Sequence, residues 1–470
     1  MPLIPRCFTP DFLIMKDLTQ GSLSSHVLTM AVPTFAGFIL LLVCGLIDLY
    51  FVGGLGEAAI AGVGAAGNAA FIVNAVTQVL VAGTLATVSQ AVGRRNRADA
   101  NLAFNQSLLL STICGACMLV AGYALIPVYV RSIAADAATV KASTTYLNWF
   151  LPALVLQLAM WSMSSALRAI GVVRPTMWVQ ALTVAINIML APVLVLGWGT
   201  GQPLGVAGAG LASSFAVAIG VIALWVYLRT AENYLTFDPK QWRPDLAQWR
   251  LILGVGLPAG GEFAIMFIYM AAIYYALGDL GSAAQAGFSI GTRVLGLIQV
   301  PAMAIAFTAA PIVGQNVGTR NRERVTETVR TILVGTTLVM LVAMAIAQWQ
   351  PSFFLRGFTQ DERTISEGAL FLRMVSLNLV TRGIIFVCSS TFQGLGNTRP
   401  QLVSSTVRLT TYVIPTLWLS AQPGFRAEQI WYLSIATTTL QALLSLWLLQ
   451  RELGKEMAKA SKASSGPRIH

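Results

Sequence analysis

LGEAAIAG at residues 55–62 returns as LGSAAQAG at 280–287, and QAVGRRNR at 90–97 returns as QNVGTRNR at 315–322. Pro33 pairs with Pro258, and Arg174-Pro175 pairs with Arg399-Pro400. Each pair is 225 residues apart with no gap, so the chain is one unit written twice. An internal repeat sets the architecture before any local pattern is weighed.

The unit is hydrophobic. Of 470 residues, 56% are hydrophobic and 10% charged, with a mean hydropathy of +0.70. Soluble domains carry roughly 25% charged residues, so the chain belongs in a membrane. A helix needs an apolar run of about 20 residues to cross the hydrocarbon. Twelve such runs occur, at 27–52, 60–89, 102–130, 146–168, 176–198, 206–228, 252–277, 284–313, 328–350, 368–392, 401–420 and 429–450, six in each half. None alternates polar with apolar residues, which sets aside a transmembrane barrel. The expected fold is an all-α integral membrane protein of twelve transmembrane helices in two six-helix repeats. An even helix count gives both copies the same orientation, so the repeat is parallel. Paired membrane bundles of this kind are typical of transporters, with the site near the interface of the halves.

The net charge of +11 follows this topology. Arg94, Arg95, Arg97, Arg168, Arg174, Lys240, Arg243, Arg250, Arg320, Arg322, Arg324 and Arg399 fall on one side if the spans alternate, as do Lys455, Lys459, Lys462 and Arg468 in the tail. The opposite loops are poor in cations or mixed in sign, as at Arg356, Asp361, Glu362, Arg363 and Glu367. Positive loops mark the cytoplasmic side, which puts both termini inside and removes the need for a nucleic-acid partner. The expected organisation is a cytoplasmic segment 1–24, an N-lobe 25–228, a cytoplasmic linker 229–251, a C-lobe 252–450 and a cytoplasmic tail 451–470. Trp242 and Trp249 suit a linker at the headgroup layer. The first apolar run is too long, and lacks the small-residue cleavage site, for a removed signal peptide.

Several motifs dissolve in context. Gly62-Val-Gly64-Ala-Ala-Gly67 matches a dinucleotide fingerprint but lies inside a membrane run with no preceding strand. Gly454-Lys455 is followed by Glu456 and lacks the upstream glycine of a phosphate-binding loop. No ATP-driven motor is encoded, so pumping draws on an ion gradient or a partner. Cys7, Cys44, Cys114, Cys117 and Cys388 do not form a disulfide framework, and Cys114 and Cys117 lie within span 3, where they read as packing residues. No enzyme activity, cofactor or metal is expected; the partners are small-molecule substrates and membrane lipid, and the chain is read as a monomer.

Ionisable residues inside spans carry the functional signal. Asp48, late in span 1 within GLIDLYFVGG, lies in the outer part of the membrane when counted from residue 26 at 1.5 Å per residue. With little water nearby a carboxylate favours its protonated form, so Asp48 can take a proton outside and release it inside. The competing reading ends the helix early and leaves Asp48 among headgroups. Asn187 in span 5, followed by Pro192, is a polar group at similar depth: its amide can hydrogen-bond a protonated Asp48, or the proline-bent backbone can expose carbonyls to a cation. Asn68, Asn74 and Gln78 in span 2 are candidates for the same cluster, with Asn74 and Gln78 on one helix face. Each also reads as interhelical glue. In the second half Glu262 lies near mid-depth of span 7, and Arg293, Arg382 and Arg408 lie within spans 8, 10 and 11. Isolated charges there are costly, so Glu262 is expected to pair with at least one arginine, for structure or for substrate. Glu262 and Tyr269 share a face of span 7 and can present an acid and a ring to a cation.

Residues 25–450 resemble the multidrug and toxic compound extrusion (MATE) family, closest to its DinF-like branch. The resemblance rests on Pro33, Asp48 with VGGLGEAAIAG, SQAVGRRN at 89–96, ALRAIGVVRP at 166–175, LPAGGEF at 257–263, GQNVGTRNR at 314–322 and FQGLGNTRP at 392–400. It implies two six-helix lobes forming a V, alternating access, and export of amphiphilic, often cationic, compounds in exchange for H⁺ or Na⁺. The family's span-1 aspartate matches Asp48 and its span-5 asparagine matches Asn187. A second span-5 aspartate of some relatives falls at Ala191. A span-7 acid of other members would fall at Met266, and a span-10 acid near Arg382, which argues against a Na⁺ site in the second lobe. Three arginines there would repel a polycation, since like charges 4 Å apart cost about 4 kcal/mol at an effective dielectric near 20. A zwitterionic or neutral substrate is therefore expected. The resulting expectation is a bacterial inner (plasma) membrane antiporter with H⁺ as coupling ion. The alternatives are Na⁺ coupling at Asp48 and Asn187, a lipid-linked saccharide flippase of related architecture, and a non-transporting receptor.

Overall fold

The structure is a computed structural model that describes residues 16–133, 136–199, 201–230 and 234–464; the side chains of residues 48, 49, 57, 58, 61, 65, 68 and 456–464 lie outside the described set. Cys7 is outside it as well. Among the described residues there is no strand. The helices are α1 (Leu23–Gly53), α2 (Glu57–Gly93), α3 (Arg97–Ile133), α4 (Ala137–Ala169), α5 (Arg174–Leu196), α6 (Val206–Thr230), α7 (Leu246–Gly278), α8 (Ser282–Ala306), α9 (Ala309–Gly318), α10 (Arg322–Trp349), α11 (Pro351–Arg356), α12 (Glu362–Val375), α13 (Asn378–Leu395), α14 (Arg399–Ser420) and α15 (Ala427–Ser464).

The repeat is written into the turns. Positive φ recurs at Gly56 and Gly281 (103° and 96°), Arg95 and Arg320 (56° and 58°), Gly171 and Gly396 (81° and 75°), and Gly199 and Gly424 (78° and 81°), each pair at the step of 225. At Arg95 the amide of Asn96 donates to the Ala91 carbonyl (3.1 Å) and that of Arg95 to Val92 (2.9 Å), and Asn321 and Arg320 do the same to Asn316 and Val317 (2.9 and 3.0 Å). This bond pair is the Schellman closure of a helix C-terminus, with arginine where glycine is usual. The following helices are capped alike: Asn96 accepts from the Asp99 amide (3.1 Å) and Asn321 from Arg324 (3.2 Å), while Asp136 accepts from Thr139 (2.7 Å) and Asp361 from Thr364 (3.0 Å). A side-chain oxygen at the N-cap satisfies one of the orphan amides of the first turn.

Among the described residues ten helices, counting α8 with α9 as one, are long and apolar enough to cross a membrane, and α12 with α13, bent by 57°, makes an eleventh. The remaining expected span, α14, has the length but carries Arg408 and a run of serines and threonines. Side chains such as Val120 (73% exposed) and Trp349 (83%) stand outward, as lipid-facing groups do.

Two compact units result. Of the described residues, 16–18 and 32–260 form one, and 19–31 and 261–464 form the other, so the start of α1 clusters with the second unit and the start of α7 with the first. In the first unit α4 is central, packed by α2, α3 and α6, with α5 against α6. Gly62 on α2 lies where a Cβ would meet the backbone of Ala142 and Ser143 at 3.1–3.3 Å, the close approach that small residues permit in membranes. In the second unit α13 packs α9, α10 and α15, and α12 packs α8. There Phe288, Phe371 and Trp431 form an aromatic centre, with Phe371 edge-on to Trp431 at 4.9 Å.

The units differ where spans break. Span 8 is interrupted at Phe307–Thr308 and span 10 at Ser376–Leu377, whereas their counterparts α2 and α4 run unbroken. Proline accounts for the first break and not for the second: Pro311 lies four residues past Phe307 where α2 has Ala86, whereas α4 contains Pro152 and its counterpart position is Leu377. At the span-10 break Gln348 of α10 donates to the Arg373 carbonyl (2.5 Å) and to Ser376 Oγ (2.9 Å). A side chain inserted into the helix ladder is a recognised cause of a kink.

Candidate functional site

Span 11 explains the most polar interior of the molecule. Gln401, Ser405 and Arg408 recur at helical spacing on α14 and share one side of it. Glu262 lies midway along α7, half-buried. Its carboxylate accepts from Gln401 Nε2 and from Ser405 Oγ (2.9 Å). Gln441 of α15 donates to Ser405 Oγ (3.1 Å), and its amide oxygen accepts from Arg408 Nη1 (3.3 Å). Arg408 lies over the Tyr269 ring at 4.4 Å, and that ring stands 4.4 Å from Tyr412. Tyr269 Oη bonds with Ser434 Oγ (3.1 Å), which also accepts from Asn378 Nδ2 (3.3 Å). Arg382, one turn past the span-10 break, is within electrostatic reach of Arg408 and Tyr269.

This changes two sequence expectations. Glu262 makes no ion pair with an arginine; pairs such as Arg94–Asp99, Arg356–Glu362 and Lys455–Glu452 lie elsewhere. Neutral donors hold the carboxylate instead, and the link to Arg408 runs through Ser405 and Gln441. The Tyr269 ring does meet a cation, but one supplied by the chain. Of the four charged candidates in this half, Glu262, Arg382 and Arg408 are brought together with Tyr269. Arg293 is exposed on α8 without a hydrogen bond or ion pair among the described residues. Gln401, Ser405, Gln441, Ser434 and Asn378 escaped the sequence reading, although their helical spacing on spans already carrying charge was the available signal.

In the first unit Asn187 is 2% exposed on α5. Its Nδ2 donates to Ser213 Oγ (3.2 Å), and its Oδ1 has no donor among the described residues. A buried acceptor left open costs free energy, so such atoms mark places where something else binds. Asn74 is exposed and Gln78 half-buried on α2, neither with a hydrogen bond among the described residues. Asp48 is on α1, but its side chain and that of Asn68 lie outside the described set.

The linker is strapped to α3. Asn101 Oδ1 accepts from the Thr236 amide (2.6 Å), Asn105 Oδ1 accepts from Asp238 N and Trp242 Nε1 (both 3.2 Å), and Gln106 Nε2 donates to the Gln241 and Arg243 carbonyls (2.5 and 2.7 Å). The linker contains a single helical turn, Pro239–Gln241, started by Asp238. Tyr234 sits beside Arg97, yet burial still pushes its hydroxyl up from the ordinary tyrosine value. Among the described residues no three His, Cys, Asp or Glu side chains gather as a metal site would require.

Comparison with known proteins agrees with this picture. The MatE family model matches residues 33–193 and 258–419, the two repeats in turn. The chain is 21% identical over 441 residues to the multidrug export protein MepA of Staphylococcus haemolyticus, covering 93% of this chain and 96% of the relative. It is 24% identical over 413 residues to an FAD transporter of Shewanella oneidensis, covering 85% and 89%. A transporter of the MOP superfamily from Pyrococcus furiosus, described as having a binding pocket of reversed polarity, superposes with a TM-score of 0.87 at 21% identity, covering 94% of this chain and 98% of that one.

Proposed function

We propose, from the premise that this chain belongs to the MatE family, that it is a multi-pass secondary antiporter exporting amphiphilic compounds in exchange for protons. Relatives named for drug export support the export reading, and the FAD transporter shows that names in the group extend beyond drugs. No catalytic activity is part of this reading.

The observation that carries the coupling site is the open Asn187 carbonyl oxygen, buried on α5 with its amide nitrogen already engaged. A protonated carboxyl can donate to such an acceptor and a carboxylate cannot. In the proposed cycle a proton from outside neutralises Asp48, α1 repacks, and substrate leaves outward; release of the proton to the cytoplasm resets the protein. Alternation between inward and outward states, both termini in the cytoplasm and placement in a bacterial inner membrane belong to the same reading, on the charge asymmetry of the loops.

The test is efflux from proteoliposomes under an imposed proton gradient. Asp48→Asn abolishes coupled efflux to the level of protein-free vesicles while the protein still inserts; full-rate export by that variant ends the proposal. The same open oxygen also favours a second reading, since a carbonyl oxygen can ligate Na⁺. Replacing Na⁺ by choline at a fixed proton gradient leaves efflux unchanged under proton coupling and stops it under sodium coupling.

A further inference from the structure

The two units share turns and caps at a step of 225, so they show what a six-helix unit needs to fold. The first unit manages without the charged interior of the second: the positions matching Glu262, Tyr269, Arg382 and Arg408 are Gly37, Cys44, Gln157 and Thr183. Charges inside membrane helices are costly and mark function by default. Those in the second unit therefore need a reason other than folding.

Their balance supplies one. The one carboxylate near Arg408, Glu262, is already held by Gln401 and Ser405 and forms an ion pair with neither Arg408 nor Arg382. Arg382 has no hydrogen bond or ion pair among the described residues. Arg408 gives one bond to Gln441 and rests on Tyr269, while its buried Nε has no acceptor. Two guanidinium groups with unused donors, each within the other's field, have no directly bonded anion among the described residues. Guanidinium forks match planar or tetrahedral oxyanions bidentately, which is why arginine serves such sites. Span 10 also breaks one turn before Arg382, and the N-terminal end of the half-helix α13 adds a partial positive charge. Broken membrane helices line binding sites in transporters, because irregular backbone is tolerated only inside protein or a cavity.

We propose that Arg382 and Arg408 dock an oxyanion, phosphate or carboxylate, carried by an amphiphilic substrate, with the Tyr269 and Tyr412 rings beside it for an aromatic portion. The inference rests on the export reading and deepens it by naming the substrate class. A zwitterion satisfies the site through its anionic end, whereas a purely cationic compound does not.

The test is equilibrium binding to the full-length protein in a neutral detergent, with probe pairs that differ in charge. Riboflavin 5′-phosphate is compared with riboflavin, and carboxyfluorescein with a cationic rhodamine, by fluorescence anisotropy. The wild type prefers the anionic member of each pair by about tenfold or more, about 1.4 kcal/mol. Arg382→Gln breaks no hydrogen bond within the chain and is the decisive variant: it brings the preference close to unity while riboflavin affinity and the melting temperature hold. Arg408→Gln has the same effect on preference with a lower melting temperature, because the Tyr269 contact goes with it. Equal affinity for both members of both pairs in the wild type overturns the site, as does an undiminished preference in Arg382→Gln. Dihexanoyl phosphatidate added as competitor identifies the source: displacement of the flavin phosphate assigns the oxyanion to a lipid headgroup, and no displacement assigns it to a soluble substrate, the site standing in both cases. Absence of gradient-driven flux of any probe in vesicles refutes export alone, since the binding measurement needs no gradient.

Discussion

Glu262 shows how a lone membrane carboxylate is kept without a counter-ion. Two neutral donors from α14 satisfy it, and Ser405 passes the connection through Gln441 to Arg408. Hydrogen bonds to a charged group contribute about 1.5–3 kcal/mol each. Gln401→Leu is therefore expected to destabilise the folded protein by about that amount. Glu262→Gln, which keeps an acceptor oxygen, is expected to cost less; thermal unfolding in detergent measures both. In the first unit the matching economy is absent, and Asn187 keeps one oxygen open beside its bond to Ser213. Asn187→Leu is expected to reduce proton-driven efflux severalfold without loss of membrane insertion, read in the same vesicle assay as Asp48→Asn.

Helix ends and helix contacts carry predictions of their own. Asp136 and Asp361 are exposed caps whose carboxyls lie below the usual carboxylate range, chiefly because Thr139 and Thr364 donate to them. A carboxyl lowered by folding contributes stability that is present above its unfolded value and lost as pH falls through its folded one. Stability is thus expected to decline below about pH 4. Asp136→Asn and Asp361→Asn keep the cap acceptor and flatten that acid limb, which melting temperatures across pH 3–6 measure, the range bracketing the ordinary carboxylate value of about 4. Close packing makes a second test. A Cβ on Gly287 of α8 would meet the Gly368 amide at 2.7 Å and the Thr364 carbonyl at 3.0 Å, whereas one on Gly64 of α2 meets nothing within 4 Å. Gly287→Ala is expected to destabilise by about 1–3 kcal/mol. Gly64→Ala is expected to be neutral or stabilising by up to about 1 kcal/mol through helix propensity.

At the scale of the whole molecule the loops decide orientation. Single cysteines placed at Lys240 in the linker and at Glu362 at the start of α12 are expected to react with a membrane-impermeant maleimide from opposite sides, Lys240→Cys only after the cytoplasmic face is opened. Equal labelling of both in intact cells contradicts cytoplasmic termini. The compact units do not follow the border of the repeat, since residues 19–31 cluster with 261–464 and the start of α7 with the first unit. Nothing in composition announces that exchange. It depends on where the first helix of each half packs, as when Arg324 donates to the Gly21 carbonyl at 2.7 Å across 303 residues of chain.

Much of the architecture was legible in the residues. The step of 225 foretold matched turns, and Arg95 with Arg320, in a conformation that arginine rarely takes, shows how literal the copy is. Helical class and eleven of the twelve expected spans followed from apolar runs, because hydrocarbon admits few backbone solutions. The break in span 10 was not legible, since Gln348 meets it from another helix and α4 runs unbroken through its own proline, whereas Pro311 was the available signal for the break in span 8. The polar interior was legible only in part. Charge in an apolar span singled out Glu262, Arg382 and Arg408, while the uncharged partners on α14 and α15 looked like any other serine or glutamine. Sequence alone therefore determined that this is a twinned helical membrane bundle with ionisable residues inside its spans, because hydropathy and repetition are local properties of the chain. Only the tertiary structure decided that the carboxylate is held by neutral donors and that the two arginines form no ion pair among the described residues, because hydrogen-bond partners are chosen by which helix faces meet.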